Sequence, residues 1–450
     1  MFGQSTRTCL AVLALALALA CASTVQASDL YQTYQQALGH DLAYAAAQQR
    51  QQAAAQKAPQ ALAKLLPHLS LESGAAWVDR EHSGPAHRNR DNSNAYALVL
   101  IQPLLRWQNV VGHEQGKALA TAGEIDLLAA RQDLMLRVAD AYFELLLAED
   151  QLATSRQQVH TLGQQLDKAQ RLRREGSGTE NEVQRIQARY DLAQAEQIAA
   201  DNALRLNQQA LARLTGSMPG ELARPDDLVS FSGPQPARLD AWTDQARQHN
   251  LKVQAAEVRQ LIAEQEVDKQ RAGHLPTLDL VAAHGRFASV GGSLYDVTVP
   301  EEKYTQTVVG VQLSVPLYAG GGTQSRTREA RALQGAAESE LEDARREADF
   351  MARQAYLNLT GGISQYQALQ QALRSSQSDL RITTHAYEAG ARISNDVLDA
   401  EQQLTRTRLQ LARQRYAILQ AQLRLMAASG SLSDDSLKAL SALLTERVQG

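Results

Sequence analysis

Cysteine is almost missing from this chain of 450 residues: its two thiols, Cys9 and Cys21, both fall within the first 27 positions. A chain cut after Ala27 keeps neither, which excludes a disulfide framework, a cysteine metal site and a cysteine nucleophile. Aromatics make up 5% of the residues and proline only 11 of them, too few for a turn-rich sandwich, while Ala, Gln, Leu and Arg fill long stretches that favour helix. Charge of one sign is also lacking. The net charge is -4 with no basic run, so no nucleic-acid partner is expected. The ten histidines are scattered without an HExxH or paired spacing. No nucleophile elbow is present, and Gly320-Gly321-Gly322 lacks the lysine of a phosphate loop. These absences argue against an enzyme, a bound metal or a cofactor.

Long apolar runs are missing too. Leu10 to Ala20 is unbroken but only 11 residues, against about 20 for a membrane-spanning helix. With Arg7 before it and Val25-Gln26-Ala27 after it, residues 1–27 read as a secretory signal cut before Ser28. Two other readings are a buried N-terminal helix and lipidation at Cys21 behind Ala18-Leu19-Ala20. Nothing downstream approaches about 18 consecutive apolar residues, so an exported chain of this kind is periplasmic, secreted or held in a membrane as a β-barrel.

What the chain does have is a copy of itself. At an offset of 214, Ala141-Tyr142 falls on Ala355-Tyr356, Gly176 on Gly390, Asn181 on Asn395, Val183 on Val397 and Gly216-Ser217 on Gly430-Ser431. Upstream, Leu66-Pro67 meets Leu275-Pro276 and Pro103-Leu104 meets Pro316-Leu317 at slightly shifted offsets. This is duplication of a domain-sized unit, not a short solenoid repeat.

Each copy has the order helix, strand, strand, helix. The first covers 28–217, with strands about 69–79 and 94–105, a polar loop 80–93, and long helices about 112–175 and 181–216. The second covers 241–431, with strands about 276–288 and 304–318, a loop 289–303, and long helices about 323–389 and 395–430. A helical stretch precedes the strands in each, Leu30 to Leu65 and Leu239 to Gly273. Residues 218–240, with Pro219, Pro225, Pro234 and Pro236, form a linker, and 432–450 a C-terminal segment.

The strand signal is period-2 alternation: Thr305, Thr307, Val309, Val311, Leu313, Val315 and Leu317 line one largely apolar face, with Gln306, Val308, Gly310, Gln312 and Ser314 on the other, mostly polar one. Four strands leave exposed edges. Either they pack as a soluble antiparallel sheet on the helices, or three chains supply four each and close a barrel of twelve. The helix signal is stronger. Val397, Leu404, Leu411, Ile418 and Leu425 repeat every seven residues, and Val183, Tyr190, Leu204 and Leu211 do the same with Gln197 interrupting. Gly112 to Glu175 holds no proline, carries an apolar stripe at Leu127, Leu134, Val138, Tyr142 and Leu145, and at ~1.5 Å per residue reaches ~95 Å. Gly176 and Gly390 stand where one helix stops, Asn181 and Asn395 where the next starts. Each copy therefore carries a long helical hairpin. The fold class expected is α+β, mainly α.

These segments resemble the TolC family of outer-membrane channel proteins over essentially the whole processed chain. The resemblance rests on His274-Leu275-Pro276-Thr277-Leu278-Asp279-Leu280 leading from helix to strand, and on Val315-Pro316-Leu317-Tyr318 with Gly320-Gly321-Gly322 leading back. It rests also on Tyr387-Glu388-Ala389-Gly390-Ala391-Arg392 with Asp396-Val397-Leu398-Asp399-Ala400 at the hairpin tip. It implies a homotrimer with a 12-stranded β-barrel in outer-membrane lipid, continuous with a helical tunnel across the periplasm, and an equatorial region built from 218–240 and 432–450. It implies as partners a periplasmic adaptor and an inner-membrane transporter, with drugs or unfolded proteins passing outward. It places Asp396 and Asp399 as acidic rings at the periplasmic entrance; residues three apart share a helix face, and such rings select and hold cations. On the residues alone, the favoured reading is instead that Asp396 complements a helix N-terminus, and it is the resemblance that reverses this. Tyr387 and Arg392 match the family's constraining residues. Their partners depart from its pattern, with Glu182 where an Asp and Asn181 where a Thr would stand. Two rivals, a periplasmic adaptor and a purely structural coiled coil, do not call for this duplication with strand segments in both halves.

Overall fold

The computed structural model describes residues 28–80, 89–225, 230–294, 297–442 and 444–445. The expected signal segment 1–27, with Cys9 and Cys21, lies outside them. In chain order the elements are helices α1 (Leu30–His40), α2 (Leu42–Ala55) and α3 (Lys57–Ala63), strands β1 (His68–Arg80) and β2 (Asn89–Leu105), and helices α4 (Trp107–Arg174) and α5 (Glu180–Thr215). There follow β3 (Arg224–Pro225), α6 (Leu239–His249), α7 (Leu251–Arg271), a 3₁₀ turn (Ala272–His274), β4 (Thr277–Leu294) and β5 (Val297–Ser314). The chain continues through α8 (Gly322–Glu388), α9 (Ser394–Ala428), α10 (Asp434–Ser441) and β6 (Leu444–Thr445). The protein is mainly helical with an antiparallel sheet.

Two compact units divide the chain: Met1–Ala47, Leu128–Leu251 and Arg345–Gly450 form one, and Gln48–Leu127 with Lys252–Ala344 the other. The second unit holds the sheet, in the order β1-β2-β4-β5, all antiparallel. The register puts Leu69 and Leu71 of β1, Leu98 and Leu100 of β2, Leu278 and Leu280 of β4, and Val309, Val311 and Leu313 of β5 on one face. Most of that apolar face is uncovered, with Leu71 72% and Val309 70% exposed. The opposite face carries Ser70, Glu72, Asp279, Gln306 and Gln312. Trp77 and Tyr96 stand toward one end of the apolar band; Trp107 and Tyr318, both exposed, follow the strands at the other. Where β2 gives way to α4, Arg106 holds Asp279 through two hydrogen bonds of 2.7 and 2.6 Å, which joins the two halves of the sheet.

The first unit buries the apolar stripes of its helices. Leu134, Val138, Tyr142 and Leu145 of α4 are all at most 1% exposed. Trp242, Leu359, Tyr366, Ile418 and Leu425 form one core cluster with Phe231 against it. The linker and the C-terminal segment meet here, as β3 pairs with β6 and Leu437 of α10 is fully buried. The Tyr142 hydroxyl lies 2.7 Å from the carbonyl of Ala223 and 3.0 Å from that of Ser28, anchoring both to α4. Arg224 adds ion pairs to Glu149 and Asp150. Gly216 and Gly430, matched in the duplication, both adopt positive φ at 78° and 73°. A Cβ on Gly430 would stand 2.1 Å from the carbonyl oxygen of His249.

Two expectations change. The polar stretch 289–303 is not a loop: β4 and β5 stay paired out to Leu294 opposite Val297, and β1 and β2 likewise stay paired out to Arg80 opposite Asn89, while residues 81–88 lie outside the described chain. Ladder hydrogen bonds join backbone to backbone, so polar side chains do not end a strand whose neighbour continues. The helical stretch Leu30 to Leu65 is three helices. Its first break is at Asp41, whose Oδ1 accepts from the backbone N–H of Tyr44 (2.7 Å) and whose carboxylate takes two hydrogen bonds from Arg137. Similarly, Leu239 to Gly273 breaks at Asn250.

Candidate functional site at the hairpin turns

The two hairpins end in turns of the same design. Gly176 and Gly390 take positive φ, 77° and 75°, which a side chain would strain, and neighbouring N–H groups fold back onto the last helical carbonyls. Ser177 N–H donates to Leu172 O (3.0 Å), and Ala391 N–H to Ala386 O (2.8 Å). The return helices start differently. Thr179 caps α5 by accepting from Glu182 N–H at 3.3 Å, whereas Ile393 before α9 offers no side-chain cap. Asn181 and Asn395 thus lie inside the first turns rather than at the caps.

The hairpins pack along a shared seam. Leu162, Leu166 and Ala169 of α4 meet Val183, Ile186 and Ala193 of α5 and Leu398 of α9 in one buried cluster. Of the sevenfold positions read from the sequence, Val183 lies in this cluster and Tyr190 packs against it, while Leu398 rather than Val397 supplies the contact from α9. Nearer the turns the seam opens into a cleft of about 220 Å³ lined by Lys168, Glu182, Tyr387, Val397 and Glu401. Lys168 Nζ stands 5.4 Å from the centre of the Tyr387 ring. A second cleft of about 420 Å³ lies farther along, bordered by Arg189, Glu196, Glu401 and Arg408. Between them, Glu401 accepts from Gln165 Nε2 at 2.8 Å. Burial pushes its carboxyl above the usual value, with the Gln165 bond pulling the other way.

Of the residues singled out from the sequence, Glu182 and Tyr387 come to one cleft, and Asp396 and Asp399 lie one turn apart on α9. Arg392 Nη1 donates to Asp396 Oδ2 at 3.5 Å. Among the described residues, neither Tyr387 nor Arg392 hydrogen-bonds Glu182 or Asn181. Asp399 has a partner that the sequence did not suggest. Arg189 Nη2 lies 2.8 Å from Asp399 Oδ1 and 3.2 Å from Asn395 Oδ1, and Asn395 Nδ2 donates to Asp399 Oδ2 at 3.4 Å. Arginine on a polar helix face carries no signal of such a role until its partner is known. Among the described residues no group of His, Cys, Asp and Glu is arranged to hold a metal ion, and no helix is long and apolar enough to cross a membrane.

An apolar-faced sheet joined to paired helical hairpins, with carboxylates at the turns, defines the class of outer-membrane export ducts. Residues 33–217 and 242–431 match the family described as outer membrane efflux protein. The chain is 30% identical over 438 residues, 95% of its length and 87% of the relative's, to the outer membrane protein TolC of Escherichia coli. It is 30% identical over 424 residues, 92% of this chain and 87% of the relative, to the alkaline protease secretion protein AprF of Pseudomonas aeruginosa. Among solved structures it superposes on the outer membrane protein VceC of Vibrio cholerae with a TM-score of 0.75, at 20% identity, covering 89% of this chain and 96% of that one. This chain belongs to the outer membrane efflux protein family, and its place is the outer membrane.

Proposed function

We propose that three copies of this chain close a 12-stranded barrel, and that their helical hairpins form the periplasmic tunnel of an exit duct. The observation that carries this is the sheet itself: β1 and β5 are its two edges, and its apolar face is uncovered. An edge row of unpaired N–H and C=O groups cannot face hydrocarbon, so a membrane sheet must pair its edges. Three chains of four strands do so with an even strand number. The stretch of about ten residues from Tyr96 to Leu105 also suits the ~9–11 residues that a tilted strand needs to cross.

The duct acts by passage, not by chemistry. On this reading Asp396 and Asp399 of three chains form two stacked acidic rings at the periplasmic entrance, where cations bind and block. Tyr387 and Arg392 with Glu182 and Asn181 constrain the closed entrance, and opening parts the hairpins. A periplasmic adaptor and an inner-membrane transporter engage the hairpin end. The cargo is small toxic molecules or unfolded protein; the protease-secretion relative, as similar as TolC, supports the latter.

The test is a planar bilayer. Purified protein should form channels that divalent cations block, and replacing Asp396 and Asp399 together with Ala should abolish that block. Absence of channels would overturn the duct, and unchanged block in the double variant would overturn the acidic rings.

A further inference from the structure

The second unit holds a cavity of about 440 Å³ where α3, the start of α4 and the end of α7 meet, and its lining includes three lysines, 57, 64 and 269, and no carboxylate. Lys57 and Lys64 are seven residues apart, two turns, and so lie on one face of α3 and its C-terminal cap. That face is held tightly against α4: a Cβ on Gly116 would stand 2.7 Å from Ala61 Cβ and 2.9 Å from Lys57 O. Asn109 Nδ2 donates to Lys64 O at 2.6 Å and fixes the far end.

The lysines differ in how far they are already engaged. Lys269 Nζ donates to Glu266 Oε2 (2.5 Å) and Gln115 Oε1 (3.0 Å). Among the described residues, the amino groups of Lys57 and Lys64 have no acidic partner, and the side-chain amides of Gln60 and Gln108, which also line the cavity, have no hydrogen-bond partner. Two uncompensated ammonium groups beside two neutral amides suit an oxyanion, for which lysine serves as a point charge and the amides as added donors.

The position says which oxyanion. Trp107 immediately precedes Gln108 and is 49% exposed; Leu104 and Leu105, just before it in sequence, are exposed as well, as are Leu62 and Leu66 on either side of Lys64. Exposed Trp next to an apolar band marks the level of lipid headgroups. The cavity therefore begins at Gln108, one residue beyond that level, and runs along α4 to Leu119 on the helical side. We propose that it binds the phosphate of an anionic phospholipid headgroup from the leaflet bordering the helices. This source of phosphate rests on the reading that the sheet is a membrane barrel. The cavity volume falls within the usual range for small-ligand pockets of about 300–1,000 Å³, leaving room for a headgroup around the phosphate.

Native mass spectrometry of the full-length protein, purified in mild detergent and titrated with phosphatidylglycerol, tests the proposal. Lys57→Gln/Lys64→Gln should weaken retention of phosphatidylglycerol by roughly 10- to 30-fold relative to wild type. Lys117→Gln, which removes an exposed lysine paired to Glu114 outside the cavity, should leave retention unchanged. Zwitterionic phosphatidylethanolamine should bind more weakly than phosphatidylglycerol, and inorganic phosphate at equal concentration should not displace the lipid. Equal retention by wild type and the double variant, each with the same oligomeric mass and helix content, would overturn the site. Displacement by inorganic phosphate at equal concentration would overturn the lipid as its source. Failure of wild type to insert into liposomes would instead overturn the barrel reading, and is seen independently of these titrations.

Discussion

Arg189 Nη2 lies 2.8 Å from Asp399 Oδ1, an ion pair that ties the return helix of the first hairpin to that of the second. Both groups keep contact with water, at 30% and 57% side-chain exposure. A single exposed pair of this kind is worth ~0.2–1 kcal/mol. In the proposed trimer, three copies around one entrance would act on the same opening step. Arg189→Ala should therefore raise the open probability of the channel in planar bilayers by roughly tenfold, about the effect of 1.4 kcal/mol. It also uncovers Asp399, so block by divalent cations should tighten, while Arg189→Lys should restore part of the closed population. Unchanged gating and block in Arg189→Ala would remove this pair from the entrance mechanism.

Asp41 provides a test of the first unit's stability. Its side chain is 7% exposed, caps Tyr44 and is held by Arg137. The Arg137 hydrogen bonds, chiefly, hold its carboxyl below the ordinary value of 3.8. A depressed folded value means that the stabilisation is complete above 3.8 and is lost as pH falls through the lower folded value. Asp41→Ala should cost about 1–3 kcal/mol at neutral pH. Thermal unfolding should show the gap between wild type and variant constant above about pH 5 and shrinking below pH 4. A gap independent of pH would rule out the ionised carboxylate as its cause.

Glu401 gives the opposite sign. Burial raises its carboxyl above the ordinary value of 4.5, so its contribution is complete below 4.5 and declines as pH rises through the folded value. Glu401→Gln keeps the shape without the charge, and should raise the unfolding temperature at pH 7. The difference should vanish near pH 4. A variant less stable at pH 7 would mean that the ionised carboxylate is needed between the hairpins.

Features written in local chemistry were legible before the structure. Gly176 and Gly390 marked the turns because only glycine takes positive φ there without strain. The alternation of Val309, Val311 and Leu313 marked a strand with one apolar face, because a pleat turns successive side chains to opposite sides. Features that depend on a distant partner were not legible. The Asp41 carboxylate that caps Tyr44, in a stretch of Ala and Gln that reads as continuous helix, is held in place by Arg137, far along the chain. The ion pairs of Arg189 with Asp399 and Arg106 with Asp279 each join the two halves of the chain, and exposed or interfacial arginine has no periodic signature. The continuation of β4 and β5 past residue 288 was hidden because the ladder is made by backbone, which side-chain pattern does not report.

If three chains close a barrel, β1 and β5 are not free edges in the working protein, and hydrogen exchange measures this directly. In full-length protein reconstituted into lipid bilayers, edge amides of β1 and β5 should be as protected as those of β2 and β4, because each edge pairs with a neighbouring chain. Exchange of the edge amides within seconds, with β2 and β4 still protected, would show an open sheet and contradict the barrel.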